Sequence, residues 1–250
     1  MRTSIRVPVL CAALLLALPF AARAEDEGNL PHADNDIRNT ASLQRGARTF
    51  MNYCSGCHSA QFVRYNRIGT DLGISEAELK ANLMFTAERS FETIKSSMPV
   101  ADARTWFGNA PPDLSLIARS RGTDYLFAFL TGFYADASRP TGVNNAVLPG
   151  TAMPHVLADL QGVQSAVFAA HKAGEAAAAP EIERFTLASP GTLAPEKYEE
   201  FVRDTVNFLD YMGEPVQVKR RDLGVWVMLF LLVFTGFAFL LKREYFRDIH

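Results

Sequence analysis

The pentapeptide CSGCH, residues 54–58, constrains this chain more than any other feature. Its spacing, Cys-x-x-Cys-His, is typical of covalent attachment of a c-type haem. In that chemistry the thiols of Cys54 and Cys57 add to the two haem vinyl groups, and His58 is brought to the iron as an axial ligand. The sequence contains the pattern once, which predicts a single haem c.

Other uses of the two cysteines are less well supported. A structural zinc site needs four Cys or His ligands, usually as two paired motifs, and this chain has no second cysteine pair. A thioredoxin-like redox site requires a βαβ context, whereas the residues around the motif have helical periodicity. A disulfide between Cys54 and Cys57 would close a very tight ring and would not need His58.

The first 24 residues have the organisation of a secretory signal peptide. A basic start is followed by an apolar run over residues 7–20 and by an A-x-A cleavage signal at 22–24. Cys11 lies in this segment, so the exported chain keeps only the two motif cysteines. Export fits haem c, which is attached outside the cytoplasm, and it predicts a haem domain on the periplasmic side.

The other end of the chain contains a candidate membrane anchor. Residues 223–241 carry no charge, and as a helix rising about 1.5 Å per residue they cover close to the roughly 30 Å hydrocarbon core. Basic residues flank this run on both sides, in a juxtamembrane linker at 219–222 and in a tail at 242–250. These basic residues therefore do not indicate which way the anchor crosses the membrane. The signal peptide does, because it directs the preceding residues to the periplasm. The sequence thus predicts a single-pass inner-membrane protein with a cytoplasmic tail.

The formal net charge of −2 conceals an acidic exported domain. Residues 25–218 hold 16 Lys and Arg against 24 Asp and Glu, a net charge of −8. This balance disfavours nucleic acid and anionic lipid surfaces as partners. It favours a basic soluble partner that is steered by long-range electrostatics, although ordinary solubilising charge would have the same composition.

The periodicity of residues 25–218 predicts a mainly α domain of the class I cytochrome c type with loop insertions. One amphipathic helix is expected over residues 42–53, where Gly46 and Phe50 suit a close helix crossing, and another over 195–212. Residues 171–195 are rich in Ala, Pro and Gly, and this composition predicts an exposed connection or a partner-binding segment.

The segment Pro111–Gly122 offers pocket residues. Its prolines are expected to open a helix that Gly122 closes, with Thr123 capping the next helix. A rigid carbonyl of the Pro-Pro pair would accept a hydrogen bond from His58 and fix its tautomer. Arg121 and Tyr125 are candidates to bind a haem propionate, and a surface Arg with a half-buried Tyr is an equally good interpretation of their spacing.

The second axial ligand has several candidates in the exported domain: Met51, Met84, Met98, Met153, Met212, His32, His155 and His171. Only Met98 and Met153 precede a proline, which holds the residue before it extended and suits a ligand loop. In class I cytochromes the ligand methionine follows the middle helices, and Met153 does so whereas Met98 does not. Met153 is therefore the predicted ligand; His155 is the alternative and would give a lower reduction potential.

Several segments in this order resemble a known family: LQRGARTFMNYCSGCHS, APPDLSLIARSRG, PGTAMP, PGTLAPEKYEEFVRDTVNFLDYM and a late single anchor. The chain is similar to the proteobacterial members of the cytochrome c1 family, the haem subunits of ubiquinol–cytochrome c reductase (cytochrome bc1) complexes. The likeness covers nearly all of the chain after the signal peptide. The approach to the methionine, NNAVLPGTAMP, is shorter than in many relatives.

The resemblance implies a role for each matching residue. Haem c is bound through Cys54 and Cys57, with His58 and Met153 as iron ligands. Arg121 contacts a propionate, and the pocket is lined by Pro111, Pro112, Ile117 and Tyr125. It also implies cytochrome b, a Rieske iron–sulfur protein and a soluble or tethered cytochrome c as partners, within a dimeric complex. The chain would relay single electrons and make no bonds of its own.

Two other functions stay open on the sequence. One is a haem subunit of another respiratory complex, or a free membrane-anchored cytochrome. The other is an open-site haem enzyme such as a peroxidase, which the absence of a second haem motif disfavours.

Overall fold

The computed structural model describes residues 30–169 and 182–247, and the elements below all belong to the compact unit His32–His250. The predicted signal peptide at 1–24 lies outside the described residues, as do His171 and the end of the tail. The domain boundaries drawn from the sequence therefore stay predictions.

Two helices that are far apart in the sequence, near the two ends of the domain, pack closely against each other. Helix α1 spans Thr40–Thr49 and continues as a π-helical turn, Phe50–Cys54, and helix α8 spans Pro195–Gly213. A methyl group on Gly46 would lie 2.0 Å from the carbonyl oxygen of Asp204, so only glycine permits this approach. Both predicted helices and their close crossing are confirmed.

The middle of the chain is built from short helices. They are α2 (Tyr65–Leu72), α3 (Glu76–Asn82), α4 (Val100–Phe107), α5 (Ile117–Arg121), α6 (Thr123–Thr131) and α7 (Ala158–Gln161). The prediction that the prolines at 111 and 112 open a helix is wrong, because α5 begins only at Ile117. Thr123 is the first residue of α6 rather than its cap; Gly122, with φ 81°, occupies the cap.

The described residues also form three antiparallel two-stranded sheets. They pair β1 (Ala60–Arg64) with β2 (Thr93–Ile94), β3 (Phe133–Ala135) with β4 (Val143–Asn145), and β5 (Gly162–Phe168) with β6 (Ile182–Pro190). The strand β6 falls in the segment 171–195, for which composition predicts an exposed connection or a partner-binding segment. It is exposed along nearly its whole length, as expected, but it is a strand, because its backbone pairs with β5.

The core lies between α1 and α8 and extends under the middle helices. Its largest fully buried side chains include Phe50, Tyr65, Ile68, Phe133 and Phe208. Asn207 is also buried, and its amide donates to the carbonyl of Asp36 at 2.8 Å and to the hydroxyl of Ser42 at 2.9 Å. The fold is mainly α, as predicted, and the haem motif follows directly from the core helix α1.

Helix α9 spans Gln217–Tyr245 and extends beyond the uncharged run at both ends. Of the described helices it alone is long and apolar enough to cross a membrane, and none of its residues is buried by the protein. Glu214, between α8 and α9, is held by Arg119 of α5 at 2.9 Å and by Arg220 of α9. A mainly α domain with one C-terminal membrane-type helix is the architecture that the sequence predicts.

Candidate functional site

The π-helical turn places the CSGCH residues at the end of α1. The amide of Ser55 donates to the carbonyl of Phe50 at 2.9 Å, and the Ser55 hydroxyl donates to the carbonyl of Met51 at 2.8 Å. The amides of Cys57 and His58 then both turn back onto the carbonyl of Cys54. The π-helical turn and these backbone bonds therefore fix the conformation of the chain from Cys54 to His58 at the end of α1.

Cys54 and Cys57 are free thiols, each half-buried. Burial, with a smaller contribution from nearby Cys57, raises the pKa of Cys54 to about 12. Burial also raises the pKa of Cys57. Both side chains are therefore neutral thiols at neutral pH, which is the form that adds across a vinyl group without leaving a charge in the pocket.

His58 is oriented by the Pro-Pro segment. Its Nδ1 lies 2.8 Å from the carbonyl oxygen of Pro112, as the sequence predicts. Burial lowers the pKa of His58, and the Pro112 hydrogen bond and the charge of Asp113 only partly oppose this. The imidazole is therefore neutral, with the proton on Nδ1 and the lone pair of Nε2 free to bind a metal.

A row of hydrogen bonds fixes the proline segment against the motif. The amide of Leu114 donates to the carbonyl of Ser59 at 2.8 Å, and the amide of Gln61 donates to the Asp113 carboxylate at 2.8 Å. The amide of Phe62 donates to the hydroxyl of the fully buried Ser115 at 3.1 Å. The sequence did not reveal these contacts, and the PPDLS pattern before a helix was their only signal.

Three of the predicted pocket residues, Ile117, Arg121 and Tyr125, lie on α5 and α6, whereas Pro111 precedes α5 outside any helix or strand. The Arg121 guanidinium is 5.5 Å from the centre of the Tyr125 ring, and Tyr125 stacks on Phe129 at 6.4 Å. Ile117 is partly buried against the core. Arg121 is exposed and has no carboxylate partner within the described residues, so its charge is available to an anionic ligand group.

Burial separates the candidate methionines. Met51, Met84 and Met212 are core residues, 2%, 7% and 3% exposed, so their sulfur atoms are committed to packing. Met98 and Met153 are only partly buried. These two are also the methionines that precede prolines.

The loop that carries Met98 is attached to the haem motif itself. The amide of Ser96, two residues before Met98, donates to the hydroxyl of Ser59 at 2.9 Å, and the hydroxyl of Ser97 donates to the carbonyl of Gly56 at 3.2 Å. Met98 therefore lies on a loop that is held by the haem motif, whereas Met153 lies on a separate loop after the middle helices, the position that chain order favours.

The loop that carries Met153 is organised by two asparagines. Asn145 is completely buried; its amide donates to the Phe129 carbonyl at 2.7 Å, and its oxygen accepts the amides of residues 147 and 148. The Asn144 oxygen accepts the amide of Gly150 at 2.7 Å. Sequence reasoning missed both asparagines, because nothing in a loop sequence distinguishes a buried Asn from a turn residue.

His155 lies just beyond Met153, and its ring stacks on the core residue Phe133, with centroids 4.8 Å apart and planes within 4°. Its Nε2 is buried and makes no hydrogen bond within the described residues, and burial lowers its pKa more than the neighbouring Gln161 side chain raises it. The ring is therefore neutral and is packed against the domain interior, which favours a role in holding the loop.

The donor set fits a covalent haem c. One turn presents two neutral thiols and a histidine with a free Nε2, and a partly buried methionine precedes a proline on a separate loop. Across residues 30–169 and 182–247, no group of three or more His, Cys, Asp or Glu side chains is arranged to hold a metal ion.

Comparison with known proteins decides the family. The model of the cytochrome C1 family matches residues 35–249. The chain belongs to the cytochrome c1 family. It is 46% identical over 243 residues to cytochrome c1 of Allochromatium vinosum, covering 97% of this chain and 99% of that protein. Over 287 residues it is 26% identical to cytochrome c1 of Rhodospirillum rubrum, covering 100% of this chain and 99% of the relative.

A second close relative has a different name. The chain is 42% identical over 245 residues to a protein of Nitrosomonas europaea named ammonia monooxygenase gamma subunit, covering 98% of this chain and 99% of that one. Membership of the cytochrome c1 family makes this chain a haem c-type cytochrome of electron transport, a subunit of the bc1 complex. The C-terminal apolar helix fits a single-pass membrane anchor.

Proposed function

We propose that this cytochrome c1-family chain relays single electrons from a Rieske iron–sulfur protein to a c-type cytochrome on the periplasmic side of the inner membrane. One haem would be bound through Cys54 and Cys57, with His58 and Met153 as its axial ligands. The observation that carries the proposal is the 2.8 Å contact between His58 Nδ1 and the Pro112 carbonyl, which leaves Nε2 for iron.

When bound, the haem supplies a one-electron iron couple whose potential the axial ligands set. The chain holds the imidazole in one tautomer through Pro112 and keeps that carbonyl in place through the contacts of Asp113 and Leu114 with the strand beside the motif. A fixed ligand geometry suits electron transfer, because little has to move when the charge on the iron changes.

Met153 would close the other axial position. A methionine thioether in place of a second imidazole raises the potential, which suits an acceptor of Rieske electrons. If His58 and Met153 both bound the iron, no coordination site would be left open for oxygen or peroxide. The hydrogen bonds of Asn145 give the Met153 loop a fixed shape, which a ligand residue needs.

The acidic domain would guide the electron acceptor. A net charge of −8 over residues 25–218 attracts a basic cytochrome c and repels an acidic one. Raising the ionic strength should therefore slow the reaction with a basic acceptor, because the Debye length falls from about 10 Å at 0.1 M to about 3 Å at 1 M salt. A rate that does not respond to salt would contradict acidic docking.

A second candidate is a subunit of a different membrane complex, and the name of the Nitrosomonas europaea relative favours it. Purification of the tagged full-length chain from its own membranes separates the two. A bc1 subunit should bring down b-type haem and a Rieske signal, and quinol should reduce its c-type haem. Recovery of the holoprotein with neither partner, or without quinol-dependent reduction, would overturn the proposed relay.

A further inference from the structure

A groove opens beside the root of the membrane helix. Its volume is about 310 Å³, and it lies between β1, the start of α2 and the α8–α9 connection, lined by Phe62, Val63, Arg64, Asn66, Arg67 and Pro215. Phe62 and Arg64 of β1 both line the groove and both are exposed, whereas Val63 between them is buried. Phe62 is 75% exposed, which is unusual for a large apolar side chain beside charged neighbours.

The position of Pro215 gives the height of the groove relative to the membrane. Pro215 lies two residues before Gln217, where α9 begins, and the uncharged run starts at Leu223. The intervening turns of helix rise about 9 Å. The headgroup layer on each side of a bilayer is about 5–7 Å thick, so the groove lies a few ångströms outside its outer edge when α9 spans the membrane. This step rests on the proposed anchoring by α9.

The two arginines give the groove a positive charge. Arg64 donates to the backbone carbonyl of Phe91 and has no carboxylate partner in the described part of the chain. Arg67 pairs with Asp71, yet its side chain stays 42% exposed. Guanidinium groups bind phosphate through paired hydrogen bonds, and aromatic rings favour the water–lipid interface. The groove is thus a basic, aromatic exception on a domain whose overall charge disfavours anionic lipid.

We propose that Phe62, Arg64 and Arg67 bind the phosphate headgroup of an anionic phospholipid in the leaflet that faces the haem domain. The contact holds the domain against the membrane in one orientation, in addition to the covalent link through α9. The charge of the groove and its continuity with the root of the anchor identify the occupant as lipid.

The test uses the full-length haem-loaded chain with a spin label on Asn66→Cys, a position that is exposed and lines the groove. The label's accessibility to a water-soluble paramagnetic agent is measured in detergent micelles, in phosphatidylcholine nanodiscs and in nanodiscs containing phosphatidylglycerol. Accessibility should fall several-fold in the anionic nanodiscs only. Arg64→Gln should shift the ratio of docked to free domain by about fivefold, the effect of one cation near an anionic surface.

Two controls make the result decisive. A label on Glu183→Cys of the exposed strand β6 should stay accessible in every environment, and Arg89→Gln, an exposed arginine that does not line the groove, should leave the Asn66 label protected. Equal accessibility in micelles and anionic nanodiscs would overturn the proposal. So would protection that appears only in an assembled complex, since a neighbouring subunit would then cover the groove. The haem spectrum of the same samples reports the relay site independently.

Discussion

The carboxylate of Asp113 accepts the backbone amide of Gln61 at 2.8 Å, across 52 positions of sequence. Its other oxygen accepts the amide of Ser115 at 2.9 Å. Asp113 follows Pro112, whose carbonyl accepts the proton of His58. One side chain therefore joins the strand after the haem motif to the residue that orients the axial histidine.

Asp113→Ala should raise the reduction potential of the haem. Without the hydrogen bond between Asp113 and the Gln61 amide, the Pro112–His58 hydrogen bond should lengthen. The imidazole then becomes less basic, and it stabilises ferric iron less well. Stability should fall by only about 1 kcal/mol, because the freed amides are close to water. Asp113→Asn is the matched variant, since its amide oxygen keeps the Gln61 contact while the charge is lost. If redox titrations gave the two variants equal potentials, the charge of Asp113 alone, and not its hydrogen bond to Gln61, would set the potential of the haem.

Met153→Leu should lower the potential and remove the weak red absorption band that a methionine–iron bond gives to ferric haem. The drop should be on the order of 0.1 V or more, a fraction of the roughly 0.8 V that axial ligands span. Reduction of the acceptor cytochrome should stop. Met98→Leu is the control and should leave both band and potential unchanged. If the two variants exchange these behaviours, Met98 is the ligand.

Asn145→Ala should disorder the loop that carries Met153. Asn145 is completely buried and satisfies the Phe129 carbonyl and two loop amides, so its removal should cost about 1–3 kcal/mol of unfolding free energy. The methionine band should weaken while haem attachment persists. Asn82→Ala, which removes one exposed side-chain bond to Glu78, should change stability by less than about 0.5 kcal/mol. A methionine band of full strength in Asn145→Ala would show that Asn145 does not position Met153.

The parts of the site that the sequence predicted are those fixed by local spacing. The haem motif, the two amphipathic helices and the uncharged run each occupy one contiguous stretch. The His58–Pro112 bond was also anticipated, because a Pro-Pro pair has few conformations. Local spacing is sufficient for the motif, the helices and the uncharged run, since the physical cause of each lies within a few residues. The His58–Pro112 bond spans 54 positions and was anticipated only from the rigidity of the Pro-Pro pair.

The parts that were missed depend on distant pairing. Strands β3 and β4 are three residues each, too short to show alternation, and β6 is recognisable only through its partner β5. The prolines at 111 and 112 were expected to open a helix, but Asp113, which follows them, accepts an amide of β1 instead. Composition cannot distinguish these uses, because an aspartate after prolines suits both.

Gly46→Ala tests the close crossing of α1 and α8. The added methyl would lie 2.0 Å from the Asp204 carbonyl oxygen and 2.7 Å from Cβ of Phe208, so the helices must separate. Unfolding free energy should fall by about 1–3 kcal/mol or more, even though alanine is the better helix former. Gly56→Ala is the control, because a methyl there meets nothing within 4 Å. A Gly46→Ala protein as stable as the control in denaturant titrations would contradict the crossing geometry.

His32 should make the stability of the domain pH-dependent. Its Nδ1 lies 2.7 Å from Asp124, and this hydrogen bond and the aspartate's charge raise the pKa of His32 above its ordinary value. Because the folded-state pKa is raised, the stabilisation is complete below the unfolded pKa of about 6.5 and is lost as pH rises through the folded value.

The effect should be small, since the side chain is 80% exposed. The melting temperature of the wild type should therefore fall slightly between about pH 5 and about pH 9, and His32→Asn should lose that part of the slope. Asp124 also accepts the amide of Ala33 at 2.8 Å, so the segment should stay attached in the variant, and an unchanged slope would assign the pH dependence to other groups.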